Sequence, residues 1–354
     1  MTRPVTLPSV RRAGLRQGYV FPLVLAAIIV ITLVTTIAST QVQLGNARLA
    51  DMMNRAGTHL AFHSAEQTFL YLALTSPAGF EGLEVGAVRD PGGDVFLPST
   101  DPDRSSLVPA NGTPVLYGDE EDAPVVLRYL DQQVFINLTG IEPVYMEARY
   151  DVLGIDRSVH QTIYAQLGDF QDEDDLRRVG GAEADDYAQA GLPPNRLVTS
   201  PLEACVPPAL AELEICADEG RLLLLTEPRE SAHLNVRLVS RFLLDALAEQ
   251  GAALGRRGWE AEDGTVQSFG AMGWPEFDVH MDVFHLPSLP ANHFVLVTHD
   301  PDAILVRRTA FELTPGTDGR PYVIRSRYRI GGDYVRDALK VPDAETSRRL
   351  PEPG

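Results

Sequence analysis

GYVFPLVL, residues 18–25, opens a run that continues to Ala47 without Asp, Glu, Lys or Arg. The residues before Tyr19 include four arginines and no acidic residue. A helix rises 1.5 Å per residue, so about 20 apolar residues cross a bilayer, and Tyr19–Ala38 has that length. Because the arginines lie on one flank, we expect a cytoplasmic leader and a chain that continues on the other side of the membrane.

The junction between Gly18 and Tyr19 is where we expect the leader to be cut. A secretory signal peptide places its small-residue cleavage site after its apolar core. Here the apolar core begins at the expected cut, so it stays with the mature protein. This arrangement resembles the type III signal of pilins and pseudopilins. An ordinary signal anchor, which keeps its leader, is the alternative interpretation.

The helical pattern continues beyond the membrane run. Apolar residues recur at helical spacing as far as Leu74, and Pro77 then ends the helix. These residues are Val42, Leu44, Leu49, Met52, Met53, Ala56, Leu60, Ala61, Phe69, Leu70 and Leu74. A single helix over residues 19–75 would be about 85 Å long. Its second half is apolar on one face only. His59, His63 and Glu66 stand about one turn apart and could hold a metal, but we expect them on the solvated face of the helix.

Composition excludes several classes of protein. The chain has 354 residues and a net charge of −19, and without the leader the balance is 26 basic against 49 acidic residues. Nucleic acid needs basic surfaces, so we expect no nucleic-acid partner. The sequence contains no nucleophile elbow, P-loop, dinucleotide fingerprint or zincin motif. A non-enzymatic protein is therefore favoured.

Strand patterns bracket a mostly helical middle, which predicts an α+β fold with an inserted α-helical domain. A hairpin is expected over residues 123–138. The expected divisions are a leader at 1–18, a helix at 19–75 with its transmembrane part at 19–38, an α+β domain at 76–148 and 272–331, an inserted helical domain at 149–271 and a polar tail at 332–354.

Two groups of residues in the inserted region could form a disulfide and a metal site, respectively. Cys205 and Cys216 form an even, closely spaced pair, and a disulfide is expected if the domain lies outside the cytoplasm. Six carboxylates gather beside a glycine-permitted turn, in Asp172, Asp174, Asp175, Glu183, Asp185 and Asp186. Ca²⁺ prefers several such oxygens, but the EF-hand spacing is absent. A solvated acidic loop is the alternative.

The anchor, the long helix and the middle segment together resemble the K-type minor pseudopilin of bacterial type II secretion systems, the GspK family. LGDFQDED at residues 167–174 is similar to the family's Leu-x-Asp-Trp-x-Asp-x-Asp, with Phe170 in place of Trp. GAE at 181–183, followed by Tyr187, resembles a second family signature. HLNV at 233–236 stands where the family has Asn-x-Asn-Thr. The resemblance covers roughly residues 11–330.

The resemblance implies a pilin-like α+β core, an insertion built from two SAM-like helical units, and Ca²⁺ in that insertion. It implies cleavage by prepilin peptidase after Gly18 and methylation of Tyr19. The implied place is the bacterial inner membrane, as a single-pass protein with a periplasmic globular domain. The implied partners are the I-, J- and H-type minor pseudopilins, the major pseudopilin and the inner-membrane secretion platform, with which the protein would prime pseudopilus assembly.

Leu23 adds a physical argument for a position at the filament tip. Counted from Tyr19 it is the fifth residue, where most pilins have a Glu that pairs with the terminal amine of a neighbouring subunit. An unpaired carboxylate in lipid is costly, and a tip subunit has no neighbour above it to offer an amine. Leucine is therefore the expected residue in a capping subunit.

Two other classes share the same anchor. A minor pilin of a type IV pilus or competence system would differ only in the machine that it serves. A signal-anchored periplasmic enzyme would keep its leader and carry a catalytic site without a recognisable motif. Gene neighbours distinguish the first class, and the processed N-terminus distinguishes the second.

We predict cleavage between Gly18 and Tyr19. Mass spectrometry of the membrane-extracted protein should find a mature chain that begins at Tyr19, and Gly18→Ala should leave most of the chain uncut. A mature protein that begins at Met1, or that is cut beyond Ala38, would contradict the pseudopilin interpretation.

Overall fold

A computed structural model describes most of the chain. The described residues are 20–79, 81–85, 88–89, 96–97, 106–118, 124–139, 150, 153–228, 292–314, 319–340 and 348–350. The cleavage site at Gly18 and the predicted domain boundary at 271 lie outside them.

A single helix, α1, spans Val20–Thr75 and confirms the predicted long N-terminal helix. It is the one helix among the described residues that is long and apolar enough to cross a membrane, with a hydropathy of 2.6 in its most apolar window. Four threonine hydroxyls in its apolar part donate to backbone carbonyls three or four residues earlier, those of Thr32, Thr35, Thr36 and Thr40. These bonds satisfy polar groups that lipid could not hydrogen-bond.

The chain divides into two compact units, Met1–Leu60 and Ala61–Gly354. In the first unit the helix is exposed at almost every position that is described. In the second unit its last turns are buried on one face, where Phe62, Phe69 and Leu72 are at most 3% exposed. The boundary therefore falls where the helix begins to contribute a core face.

A six-stranded sheet forms the centre of the second unit, in the order β10-β9-β8-β7-β6-β11. The pairs are antiparallel except for β11, which lies parallel to β6. Its strands are β6 (Asn111–Tyr117), β7 (Val125–Asp131), β8 (His293–His299), β9 (Val306–Leu313), β10 (Tyr322–Ile330) and β11 (Arg348–Arg349). The shorter strands are β1 (Ala78–Gly79), β2 (Gly82–Val85), β3 (Val88–Arg89), β4 (Phe96–Leu97) and β5 (Ser106–Pro109).

Aromatic rings join α1 to the sheet. The ring of Phe69 lies 5.0 Å from that of Tyr129 on β7 and 5.5 Å from that of Phe294 on β8. Phe294 stacks in turn on Phe311 of β9 at 5.5 Å. Each buried aromatic side chain removes a large apolar area from water, so this row is a major part of the core.

A buried carboxylate lies beside this aromatic row. Glu66 of α1 is fully buried, which corrects the expectation that it lies on the solvated face of the helix. Its oxygens lie 2.9 Å from Arg307 Nε and 3.1 Å from Arg327 Nη2. They also accept a hydrogen bond of 3.1 Å from the Thr309 hydroxyl. Two guanidinium groups and a hydroxyl therefore compensate the buried charge.

The predicted insertion is visible in the strand pairing. β7 and β8 are direct antiparallel neighbours, yet residues 132–292 lie between them in sequence. The described part of this segment contains helices and no named strand, and together with the antiparallel sheet it confirms the α+β class. Its helices are α2 (Arg157–Gln171), α3 (Pro208–Ala211), α4 (Glu214–Ala217) and α5 (Glu219–Leu225), with 3₁₀ turns at Gln132–Val134, Ala184–Asp186 and Glu203–Cys205.

Two local expectations are wrong. The hairpin over residues 123–138 does not form, because the Asp131 side chain accepts from the Gln133 amide and starts a 3₁₀ turn. The segment predicted as a polar tail contains regular secondary structure. It contains helix α6 (Asp333–Ala338) and strand β11, and it buries Leu339 and Leu350 in the core. Its few apolar residues were too sparse to reveal a period.

We predict that Glu66→Gln destabilises the protein by about 3 kcal/mol, because it leaves two guanidinium groups facing a buried neutral side chain. Denaturation of the full chain in detergent, followed by tryptophan fluorescence or circular dichroism, measures the loss.

Asp51→Asn is the matched control on the same helix. Asp51 pairs with Arg55 at 2.9 Å, but both side chains are more than half exposed. Exposed pairs contribute about 1 kcal/mol or less. Equal losses from the two variants would show that the Glu66 network is not a stability determinant.

Candidate cation site in the inserted segment

Helix α2 places the acidic stretch. Asp156 caps its start by accepting from the Ser158 amide at 2.8 Å. Apolar residues at helical spacing, Ile163 and Leu167 among them, are buried against the rest of the insertion. The helix ends at Gln171, so the residues that follow leave the helix axis as a loop.

Asp169 and Arg178 hold the base of this loop. Asp169 is fully buried on the last turn of α2 and accepts from the Arg178 amide at 3.1 Å. The Arg178 guanidinium lies 3.5 Å from Asp169 and 3.0 Å from Asp172. A side chain at Gly168 would collide with this guanidinium, and one at Gly181 would collide with the Asp169 carboxylate. Both glycines therefore make room for the ion pair.

Glu183 is the unusual residue of the site. It is 7% exposed, and neither of its carboxylate oxygens has a hydrogen-bond partner. Asp172 Oδ1 and Asn195 Oδ1 are also buried without a partner. A buried acceptor without a donor is costly, so three residues here offer oxygens that a further donor or a cation would satisfy.

Burial and neighbouring carboxylates raise the pKa of two acidic residues in the loop. The pKa of Glu183 is raised first by burial and then by the charges of Asp169, Asp172, Asp175 and Asp174. The pKa of Asp172 is likewise raised by burial and by its acidic neighbours, although Arg178 opposes this. Negative charge therefore exceeds positive charge around Glu183.

The structure separates the six predicted ligands into two groups. Asp172, Asp174 and Asp175 lie close enough to Glu183 for their charges to raise its pKa. Asp186 instead accepts from the Glu183 amide at 2.9 Å and pairs with Arg177 at 2.6 Å.

The sixth predicted ligand, Asp185, is exposed. Two residues that were not predicted as ligands, Asp169 and Asn195, also belong to the site. Sequence reasoning missed Asp169, although it lies within the quoted motif. It also missed Asn195, whose amide donates to Asp175 at 3.3 Å. Asn195 has a positive φ of 48°, which few residues other than glycine and asparagine adopt readily. Nothing local in the sequence around Asn195 indicates that it returns to the acidic loop.

The oxygens of Glu183, Asp172 and Asn195 that lack a partner are carboxylate and amide oxygens, which suit a hard cation such as Ca²⁺. As the side chains stand, no three His, Cys, Asp or Glu residues among those described come together closely enough to hold a metal. The metal assignment therefore stays a prediction. A bound ion would require the loop carboxylates to close around Glu183.

The other predicted site residues lie elsewhere. Leu23 is on the first turns of α1 and is 70% exposed. Cys205 and Cys216 are joined as a disulfide, with their Cα atoms 5.7 Å apart. The bond closes a short loop that contains α3 and the start of α4, which are too short to be stable alone.

Comparison with known proteins gives one likeness of note. No family model and no curated protein matches the chain. A solved chain of the GspK-GspI-GspJ complex from the type 2 secretion system of enterotoxigenic Escherichia coli is similar to it, with 13% sequence identity and a TM-score of 0.43. The match covers 82% of this chain and 99% of that one.

We predict that millimolar Ca²⁺ raises the melting temperature of the full chain in detergent and that chelator removes the rise. Binding to the folded state alone stabilises by about 2.7 kcal/mol at a hundredfold excess over Kd, which corresponds to about 5 °C for a protein of this size. Glu183→Gln should abolish most of the rise. In chelator the variant should melt no lower than the parent, since it removes a buried, uncompensated charge.

Asp185→Asn is the matched control, because Asp185 is an exposed carboxylate two residues away. It should keep the full response to Ca²⁺. A melting temperature that ignores both Ca²⁺ and chelator would identify the stretch as a solvated acidic loop.

Proposed function

We propose that this chain is the K-type minor pseudopilin of a type II secretion system, and that it caps the pseudopilus and primes its assembly. The observation that carries the proposal is the continuity of α1. One helix supplies an exposed apolar segment of membrane-spanning length and, from Phe62 onward, a buried face of the folded domain. A signal anchor needs only the first of these features.

The helix also has an apolar stripe beyond the membrane-spanning segment. Val42, Leu49, Met53 and Leu60 follow one another at intervals of seven, four and seven residues, and each is more than half exposed. At 100° per residue these four side chains share one face. Ala47 lies on the opposite face. An exposed stripe of this kind is suited to packing against other helices, as in a pseudopilus.

The insertion and Leu23 favour the K type over other pseudopilins. A large helical segment between two directly paired strands is what the resemblance implies for the K type. A leucine at the fifth mature position removes a carboxylate that would lack a partner at the tip. Both features support a capping subunit, and neither is required of a subunit within the filament.

The role is structural, and the implied partners are the I-, J- and H-type minor pseudopilins, the major pseudopilin and the secretion platform. Prepilin peptidase would process the chain. Ca²⁺ would be held by Glu183 with Asp172, Asp174 and Asp175, and it would supply charge neutralisation that orders the loop.

Co-expression with the I- and J-type subunits encoded beside the gene tests the proposal. An affinity tag on this chain should recover both subunits from detergent extracts, and deletion of the gene should stop exoprotein export. Leu49→Arg should reduce the recovered subunits about tenfold, the effect of about 1.4 kcal/mol, because it places a charge in the stripe.

Ala47→Arg is the control, since it adds the same charge to the opposite face of the same helix. Recovery of neither subunit with the parent chain would contradict the proposal. Loss of surface pili or of DNA uptake on deletion, with export intact, would assign the chain to a type IV pilus or competence system instead.

A further inference from the structure

Strand β10 is the last strand at one edge of the six-stranded sheet among the described residues. It pairs with β9 on its inner side along nearly its whole length. Val323 and Ile324 are each 42% exposed, and the Arg325 side chain is 59% exposed. An edge strand presents backbone N–H and C=O groups to which another extended chain can add.

The charge of this edge is opposite to that of the protein. β10 contains Arg325, Arg327 and Arg329 and no acidic residue, in a chain whose net charge is −19. On the side of the sheet that faces α1, the guanidinium groups of Arg307 and Arg327 share the single carboxylate of Glu66. Positive charge is therefore in excess along the edge.

Other charges near the edge do not remove this excess. Burial, and then the charges of Arg327 and Arg329, lower the pKa of Arg307 in spite of Glu66. Among the described residues, Glu312 also lies near the edge, where it pairs with Arg325 and lies 3.1 Å from His293 Nε2. Glu66 and Glu312 are thus each shared between two basic groups.

We propose that the β10 edge binds an extended acidic segment of a partner protein, which adds to the sheet as a further strand. The exposed Val323 and Ile324 would contact its apolar side chains, and the arginines would face its carboxylates. Given the proposed function, the partner is another subunit of the tip complex. A second copy of this chain is disfavoured, because two arginine-bearing edges repel when they pair edge to edge.

The bulge in β10 is consistent with selective binding of a partner strand at this edge. The register with β9 shifts between Ile324 and Ser326, so the strand is not uniformly flat. Bulges and charges at an edge prevent indiscriminate pairing. A partner strand must therefore match both the charge and the shape of this edge, which favours a specific acidic segment over general aggregation.

Fluorescence anisotropy with labelled octapeptides tests the proposal on the full, detergent-solubilised chain. The probes are (Glu-Val)₄, (Lys-Val)₄ and a (Glu-Val)₄ in which alternate valines are N-methylated. We expect the acidic peptide to bind at least about tenfold more tightly than either of the others, and to weaken as salt rises. Equal binding of all three peptides, or tighter binding of an eight-nucleotide oligothymidylate, would overturn the proposal.

Variants locate the binding at the edge. Arg325→Gln, which changes a side chain that is 59% exposed, should weaken binding of the acidic peptide about three- to tenfold. Arg329→Gln should have a similar effect, and the two variants together guard against a folding defect in either one. Arg336→Gln is the control, because Arg336 is an exposed arginine of α6. Equal losses from Arg336→Gln and the β10 variants would overturn the proposal.

The two proposals fail separately. If the tagged chain recovers the I- and J-type subunits but binds no acidic peptide, the edge proposal is wrong and the function stands. If the peptide binds at β10 but neither subunit is recovered, the edge is a binding site and the assigned function is wrong.

Discussion

A carboxylate buried away from water needs partners that compensate its lost hydration, and in this fold Glu66 meets Arg307 and Arg327 from two neighbouring strands. The aromatic row beside it supplies buried apolar area. Two guanidinium groups and the Thr309 hydroxyl fix both the rotation of the helix and its position along the strands. The hydrophobic contact makes the association favourable, and the ion pairs select one register.

The residue after Arg307 repeats this arrangement on the other face of the same strand. Because side chains alternate along a strand, Arg308 points away from α1 and towards the base of the insertion. It pairs there with Glu227 and donates to the Thr226 carbonyl at 3.3 Å. Backbone bonds between Ile136 and residues 225 and 227 bring the entry of the insertion to the same place. Two consecutive arginines of β9 thus hold the helix and the inserted segment on opposite faces of one sheet.

The sequence allowed the elements to be predicted more readily than their contacts. The absence of charge after Gly18 and the proline at position 77 predicted α1 closely, and strand patterns predicted β-structure on both sides of a helical middle. The burial of Glu66 was not predictable, because its partners are more than 240 residues away and polar residues on a helix are usually solvated. In the candidate cation site the acidic motif was recognisable, whereas Asn195 reaches Asp175 only through a long-range fold of the loop.

The two edges of the main sheet differ in whether their backbone groups are paired within the chain. This difference affects both how such a domain assembles and how it avoids aggregation. At one edge β11 lies parallel to β6, and the Leu350 amide donates to the Leu116 carbonyl at 2.7 Å, so backbone groups of that edge are occupied within the chain. At the other edge, a bulge in β10 and its arginines hinder pairing with another strand. Self-pairing is then suppressed by repulsion, which an acidic partner converts into attraction. A domain that joins a larger assembly needs this asymmetry, because two open edges of the same kind would allow its copies to pair with one another without limit.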